Sequence, residues 1–512
     1  MIMIIERSSE WEEGFINRLE NPEKWDSWTL YKMSYEIVKT NLITEFSGLQ
    51  SAKYLPNLTP LTHQLEAAKT VIERMNGKAI LADEVGLGKT IEAGLVLKEY
   101  LIRGLVKKAL ILAPASLVNQ WVEELNQKFH IPAIPYKKNY PIDRYDIIVM
   151  SMDTAKKSPH RELIYAQNFD IFIIDEAHKL KNHKTQIYEF VQSLKKKFCL
   201  LLTATPIQND VFELFYLISL LKPGHLGNYE TFQSAFSASK HDLEHDDYLR
   251  ALVNQVMVRN RREDTGIEWT NRRVQTIPIQ FTKEEREVYD LLVELKNVSS
   301  VFSGSFALIT LQKEMCSSKE ATCLTLTKMR EDCVAPDEVE YVDRIIEKLM
   351  ALEINSKAEK VLEIIAQAND KVIIFTEYRA TQIYLQWYLH VKGITSVLFN
   401  GKFNKNKRDY MKRLFKEQAQ VLIATEAGGE GINLQFCHHV INYDLPWNPM
   451  KLEQRIGRVH RLGQEHDVHI YNLAIENTIE NNILELLNTK IGVFEKVVGD
   501  LDDILTNYKK TI

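Results

Sequence analysis

The segment DEVGLGKT (residues 83–90) stands between a short apolar run, KAILAD (78–83), and the amphipathic stretch IEAGLVLKEYL. A glycine-rich turn at a helix N-terminus presents backbone N–H groups to an anion, and the helix dipole adds partial positive charge. Gly86 and Gly88 supply such a turn. Lys89 can reach the β- and γ-phosphates of a nucleotide, and the Thr90 hydroxyl can ligate Mg2+. Asp83 occupies the place of the first glycine in the general GxxxxGK[ST] pattern. Further along, FIIDEAH (172–178) ends an apolar run with Asp175 and Glu176. A carboxylate at the tip of a buried strand is costly to desolvate unless it meets a cation or solvent. Asp175 therefore suits Mg2+, directly or through metal-bound water, and Glu176 suits the base that orients and deprotonates an attacking water. Together these segments predict a site that binds ATP with Mg2+ and hydrolyses it.

A third segment, QRIGRVHRLGQ (454–464), carries Arg458 and Arg461. Read as helix, a spacing of three puts both on one face, from which they can point into a cleft. Arginines brought from an opposing domain stabilise charge on a transferring γ-phosphoryl group only when the cleft closes.

Such residues need elements to hold them. Apolar runs recur between helical stretches: KAILAD, KKALILAP (107–114), YDIIVMS (145–151), FDIFIID (169–175) and FCLLLTAT (198–205). Runs that are apolar throughout fit central parallel strands covered on both faces. A second set follows: KVIIFTE (371–377), SVLFN (396–400), AQVLIATE (419–426), HHVINYD (438–444) and HIYNLA (469–474). The fold class is α/β, with two tandem RecA-like, doubly wound parallel-sheet lobes and a cleft between them. We expect an N-terminal helical segment at 1–54 packed on the first lobe, and a first, ATP-binding lobe at 55–257. A second lobe follows at 258–485, with a helical insertion at about 282–355, and a C-terminal helical segment at 486–512. RVQTIPIQF (273–281) reads as one strand outside the second set, and Thr282 with Glu285 reads as a capping box that opens a helix. In the last helix, Ile479, Ile483, Leu486 and Leu487 are expected to share one face.

Composition sets the frame. A chain of 512 residues is too long for one core. Its 45% hydrophobic and 26% charged content is that of a soluble globular protein. No apolar run approaches the roughly 20 residues of a membrane span, and MIMIIERSSEWEEGF does not read as a signal peptide. The five cysteines form no CxxC pair, and Cys316, Cys323 and Cys333 lack zinc-site spacing, which fits a prokaryotic cytosol or nucleoid. The net charge of -5 does not advertise a nucleic-acid binder. Basic clusters at Arg259, Arg261 and Arg262, at Arg272 and Arg273, and from Lys405 to Lys416 read as solvated surface.

With LLTATPIQN (201–209), TEAGGEGINL (425–434) and QRIGRVHRLGQ added, the sequence resembles helicase superfamily two. DEVGLGKTIEAGL, ILAPASLVNQWVEEL (111–125), LPWNP (445–449) and the HRLGQ tail make it most similar to the Swi/Snf-type ATPases. Within them it resembles the bacterial RNA-polymerase-associated and archaeal branch. KVIIFTEYRAT (371–381) and NTIENNILELLNTKIGVF (477–494) point the same way, so the resemblance covers about 60–510.

It implies that Gln64 recognises adenine, that His178 and Gln454 sense nucleotide across the cleft, and that Gly431 lies near the ribose. It further implies that Thr203 and Thr205 couple hydrolysis to lobe movement. Ser116, Ser151, Thr376, Asn400 and Thr425 would grip the phosphodiester backbone, as hydroxyls and amides do without reading bases. The implied activity is ATP-driven movement along double-stranded DNA, set against two alternatives: a strand-separating DNA or RNA helicase, and an ATP-gated scaffold for nucleic acid or polymerase. A protein partner such as RNA polymerase, or a repair or defence complex, is compatible with this class. A membrane is not.

Overall fold

Continuous apolar runs become buried parallel strands. In the first lobe these are β1 (Lys78–Leu81), β2 (Ala109–Ala113), β3 (Ile134–Pro135), β4 (Ile147–Ser151), β5 (Ile171–Asp175), β6 (Phe198–Leu202) and β7 (Met257–Val258). They form one sheet in the order β3-β4-β2-β5-β6-β1-β7, with every ladder parallel. Strand β2 is buried along its whole length, as a sheet covered on both faces requires. The order makes β5, β6 and β1 neighbours. The segments that follow them, Asp175–Glu176, Thr203–Thr205 and Asp83–Thr90, therefore emerge side by side at the carboxyl edge, where α/β sheets bind ligands.

This computed structural model describes residues 13–14, 16–17, 20, 27–41, 48–138, 141–207, 210–236, 243–298, 305–401, 403, 405–425, 432–498, 502 and 504–505. They belong to two units, Met1–Leu49 and Gln50–Ile512. The first contains the helix Trp28–Asn41, on which Trp28 and Tyr31 stack with ring centroids 5.2 Å apart. The second contains both lobes. It begins with a 3-10 turn, Ser51–Tyr54, whose Ser51 N–H donates to Glu99 Oε2 at 2.6 Å.

The second lobe is built from β8 (Arg272–Ile279), β9 (Val372–Thr376), β10 (Ser396–Phe399), β11 (Val421–Thr425), β12 (His439–Asn442) and β13 (Val468–Ile475). Their order is β10-β11-β9-β12-β13-β8, again all parallel. The run at 273–281 is therefore not separate from the second set. It pairs with β13 over eight residues as the edge of that sheet. Four helices then form the insertion: Lys283–Val298, Ser305–Ser317, Lys319–Arg330 and Pro336–Ala351. The capping box that opens it has the expected geometry. Glu285 N–H donates to Thr282 Oγ1 at 3.1 Å, and Thr282 N–H donates to Glu285 Oε2 at 2.9 Å.

The last helix, Ile479–Val497, differs from the expectation. Ile483, Leu484 and Leu487 are buried, whereas Leu486 is 36% exposed. Residues three and four apart share a helix face, and 484 rather than 486 completes the buried one. Ile483 and Leu487 pack with Leu445, Leu452 and Ala474 of the second lobe. Two turns later, Phe494 and Val497 join the core of the first lobe. One helix thus belongs to both cores. Among the described residues, no helix is long and apolar enough to cross a membrane.

Candidate active site

The phosphate loop leaves β1 and enters the helix Lys89–Ile102. Gly86 and Gly88 sit at φ 98° and 97°, the left-handed region that a side chain disfavours. Gly88 is also the N-cap of the helix, so its turn directs N–H groups outward. Lys89 Nζ donates to the carbonyls of Asp83 at 2.6 Å and Glu84 at 3.2 Å. Burial pushes the Lys89 ammonium down, and Asp83, Glu92, Glu176 and Asp175 act against that. His63 and Gln64 brace the loop from behind, both bonded to Leu87 O, at 3.1 and 2.8 Å.

The structure corrects the placement of Asp83. Its carboxylate accepts from Asn260 N at 2.8 Å and from Asn260 Nδ2 at 3.1 and 3.0 Å, and it is fully buried. A carboxylate is the wrong charge to face polyphosphate, and here it fastens the loop to the segment between the lobes instead.

Asp175 ends β5 and is held at both oxygens. Trp121 Nε1–H donates to Oδ2 at 2.9 Å, and Glu176 N–H donates to Oδ1 at 2.8 Å. Burial, then Glu176, push the Asp175 carboxyl up to about 6, while Trp121 and Lys89 draw it down. Glu176 adopts φ 51°, ψ 47°, a left-handed conformation rare outside glycine that is typical of strain kept at functional sites. Burial alone would raise its carboxyl. The hydrogen bond and charge of His178, with Arg458 and Lys89, outweigh that and hold it at about 2. The His178 Nδ1 to Glu176 Oε2 distance is 3.2 Å. Thr203 and Thr205 are buried after β6, and Thr205 N–H donates to Thr203 Oγ1 at 3.0 Å.

The second lobe closes this site. Gln454 lies half-buried on the helix Pro449–Ile456. Arg458 and Arg461 are not on that helix, because it ends at Ile456 with Gly457 as its C-cap. They lie in the turns that follow. Arg458 lowers the Glu176 carboxyl electrostatically, whereas Arg461 lies against the phosphate loop. A Cβ on Gly86 would come within 3.4 Å of Arg461 Cγ. Likewise, a Cβ on Gly457 would collide with the Val85 side chain, so the loop and the turn meet in direct contact. Burial, then Arg458, lower the Arg461 guanidinium to about 10. Both arginines reach the cleft, near enough for the charge of one to act on the other.

A wider cleft of about 770 Å3 adjoins Arg461, lined by Ser116 and Lys128 of the first lobe and Arg408, Lys412 and Asn433 of the second. Only some of the expected backbone-gripping residues suit such a role here. Ser116 opens onto the cleft. Ser151 caps the short helix Met152–Ala155, accepting from Thr154 N at 3.2 Å. Thr376 is fully buried, and its hydroxyl donates to Asp444 Oδ2 at 2.6 Å. That commitment removes it from any surface contact, since a hydroxyl has one proton to give. Asn400 is 7% exposed, and Thr425 is half-buried at the end of β11. Gly431 lies outside the described residues.

The donor set suits Mg2+ with ATP. Asp175 and Thr90 offer hard oxygens, and the glycines let Gln64 and Arg461 approach the loop where a side chain would meet them. Trp121 is 2% exposed on the helix Val118–Lys128, and its indole N–H on Asp175 gives it a part at the site. Trp121→Phe should lower ATP turnover about tenfold and raise the Mg2+ concentration needed for half-maximal rate, because a hydrogen bond to a charged group is lost. A Mg2+ titration of the rate with unchanged half-saturation would remove Trp121 from this role.

A phosphate loop after β1, an acidic pair at the tip of β5 and arginines from a second RecA-like lobe define a two-lobed ATPase of the helicase type. The SNF2-related domain matches residues 63–338, and the helicase conserved C-terminal domain matches 356–463. This chain therefore belongs to the SNF2-related ATP-dependent helicase family. It is 59% identical over 502 residues to YqhH of Bacillus subtilis (strain 168), an uncharacterized ATP-dependent helicase, covering 97% of this chain and 90% of that protein. It is 28% identical over 492 residues to the RNA polymerase-associated protein RapA of Actinobacillus pleuropneumoniae serotype 3 (strain JL03), covering 85% of this chain and 50% of RapA. The chain thus spans about half the length of the RapA relative it matches. The Sulfolobus solfataricus SWI2/SNF2 ATPase core in complex with dsDNA aligns with a TM-score of 0.44 and 23% identity, over 89% of this chain and 95% of that one.

Proposed function

We propose that this chain is an ATP-driven translocase on double-stranded DNA, able to remodel protein–DNA complexes in its path. The observation that carries the reading is the divided ATP site: Arg458 acts on Glu176, and Arg461 packs on the phosphate loop, from a different lobe. Turnover then requires the lobes to come together, and each cycle moves one lobe relative to the other.

In this reading Lys89 and the loop N–H groups bind the phosphates, and Thr90 and Asp175 hold Mg2+. The bound ion would neutralise charge across the β- and γ-phosphates. Glu176, steered by His178, takes the proton of the attacking water. Arg458 and Arg461 stabilise charge on the γ-phosphoryl group, Gln64 meets the base, and Gln454 reports closure. Thr203 and Thr205 pass the change to the adjoining loops. Ser116, with Lys128, Arg408 and Lys412 around it, offers the backbone contacts.

The SNF2-related family and the LPWNP and HRLGQ segments favour duplex tracking over unwinding. Contacts to phosphates imply binding that is largely independent of sequence and weakens with salt. An RNA polymerase partner follows from similarity to RapA and is a narrower proposal. Duplex DNA should stimulate ATP hydrolysis more than single strands or RNA, and a triplex-forming third strand should be displaced while a blunt duplex stays paired. Separation of the blunt duplex, or stimulation by RNA alone, would replace this reading with that of a helicase.

A further inference from the structure

The chain crosses from the first lobe to the second between β7 and β8, and this crossing carries Arg259, Arg261 and Arg262. The sequence makes them look like a solvated basic cluster. In the fold, Arg262 is among the most buried large side chains, at 2% exposure. Its backbone N–H donates to Glu84 Oε2 at 3.0 Å, and its guanidinium donates to the Val85 carbonyl, both within the phosphate loop. The same guanidinium lies 3.4 Å from Glu453 Oε1, on the helix that carries Gln454, and it bonds to Asp502 near the chain's end. Arg272, at the start of β8, doubles the hold with a forked pair to Glu453 at 2.6 and 2.9 Å. Arg272 also lies 3.4 Å from Asp502, and Arg259 lies 3.8 Å from Glu84. Three arginines thus meet three carboxylates, Glu84 and Glu453 nearly buried and Asp502 17% exposed. Burial, then Asp502, push the Glu84 carboxyl up to about 7, while Arg262 draws it down. Trp269 covers the Arg262 guanidinium at 5.3 Å.

We infer that Arg262 is a positioning residue for ATP turnover, a strut that spans from Val85 on the phosphate loop to Glu453 and so sets Arg458 over the Glu176 position. Val85 is gripped twice, by Arg262 at its carbonyl and by Gly457 against its side chain. Gly457 directly precedes Arg458, so the strut and the catalytic arginine share one turn. Buried ion networks are a poor source of net stability, because desolvation offsets most of the attraction, but they penalise any arrangement that leaves one member unpaired. A network at the covalent crossing therefore specifies one register of the two lobes. A planar guanidinium meets Asp502 and Val85 from two different nitrogens of one rigid fork, a spacing that the single nitrogen of an ammonium does not reproduce.

The inference rests on the reading of Arg458 as the residue that completes the site, but not on duplex tracking. It is tested with the full-length chain by single-turnover ATP hydrolysis, by binding of a fluorescent ATP analogue, and by pulsed-EPR distances between labels placed at Lys107 and Lys392 through an orthogonal amino acid. Arg262→Lys and Glu453→Gln should each lower the hydrolysis rate about tenfold or more, with nucleotide affinity within about threefold of wild type. The double variant should be no slower than the slower single one, because the two residues act as one unit. The interlobe distance without nucleotide should broaden in both. Turnover within about twofold of wild type, affinity falling in step with rate, or rate losses that multiply in the double variant would each overturn the strut. Should Arg262→Lys fail to fold, Glu453→Gln and its distance distribution decide alone. An Arg458→Ala control separates the two layers: if it turns over normally, the site reading falls and the strut with it, whereas if it is slow while the strut variants are normal, only the strut falls.

Discussion

Arg458→Ala should reduce ATP turnover by about 10³-fold while leaving nucleotide affinity nearly unchanged. The side chain belongs to the second lobe, yet its charge acts on Glu176 in the first, and in the proposed mechanism it meets the reacting phosphoryl group only when the lobes close. Interactions made only in the transition state change the rate and spare ground-state binding. Arg461→Ala should act in the same direction but less strongly, since Arg461 packs on the phosphate loop beside Gly86 and its guanidinium Nε–H is engaged by the Gly457 carbonyl at 2.7 Å. Single-turnover rates alongside equilibrium nucleotide binding check this. Normal hydrolysis by both variants in the presence of DNA would contradict a site divided between lobes.

Glu176→Gln should preserve ATP binding and lower turnover by about 10²-fold or more. The change keeps the size of the side chain and removes its ability to accept a proton. In the native chain, His178, Arg458 and Lys89 hold the Glu176 carboxyl at about 2 against the effect of burial, so it is ionised throughout the neutral range. The left-handed backbone at φ 51° breaks the strand alternation between Asp175 and Glu176, and in the proposed mechanism the two adjacent carboxylates take different tasks. Near-wild-type turnover by the glutamine variant would assign the proton transfer elsewhere.

What the sequence discloses is what local chemistry decides. The apolar runs at 109–113 and 171–175 announce parallel strands because both faces are buried, and Thr282 with Glu285 announces a helix start because both partners lie within one turn. The two-residue strands β3 and β7 carry no such pattern and become visible only through their neighbours. Partner choice across long separations was also hidden. Nothing near Thr376 signals that Asp444 takes its hydroxyl, nothing near Asp83 signals Asn260, and nothing near Arg262 signals Glu453. A basic cluster looks the same in sequence whether it faces water or a set of carboxylates brought from distant segments. The ATP motifs were legible because each keeps its chemistry within a few residues, whereas the grip on a polymer depends on which hydroxyls the packing leaves free.

The helix Ile479–Val497 has a mechanical consequence. It carries the chain back from the second-lobe core at Ile483 and Leu487 to the first-lobe core at Phe494 and Val497. With the crossing at 259–271 the lobes are joined twice, and the two joints touch: Arg259 Nη1 donates to Val498 O at 3.2 Å, and its guanidinium lies over the Phe494 ring. The connection is thus a doubled cord at one place rather than a pair of distant hinges, and a twist of one strand drags the other. Cutting the chain between residues 487 and 494 would halve the cord, strip Phe494 and Val497 from the first lobe, and leave the crossing at 259–271 to carry the load alone.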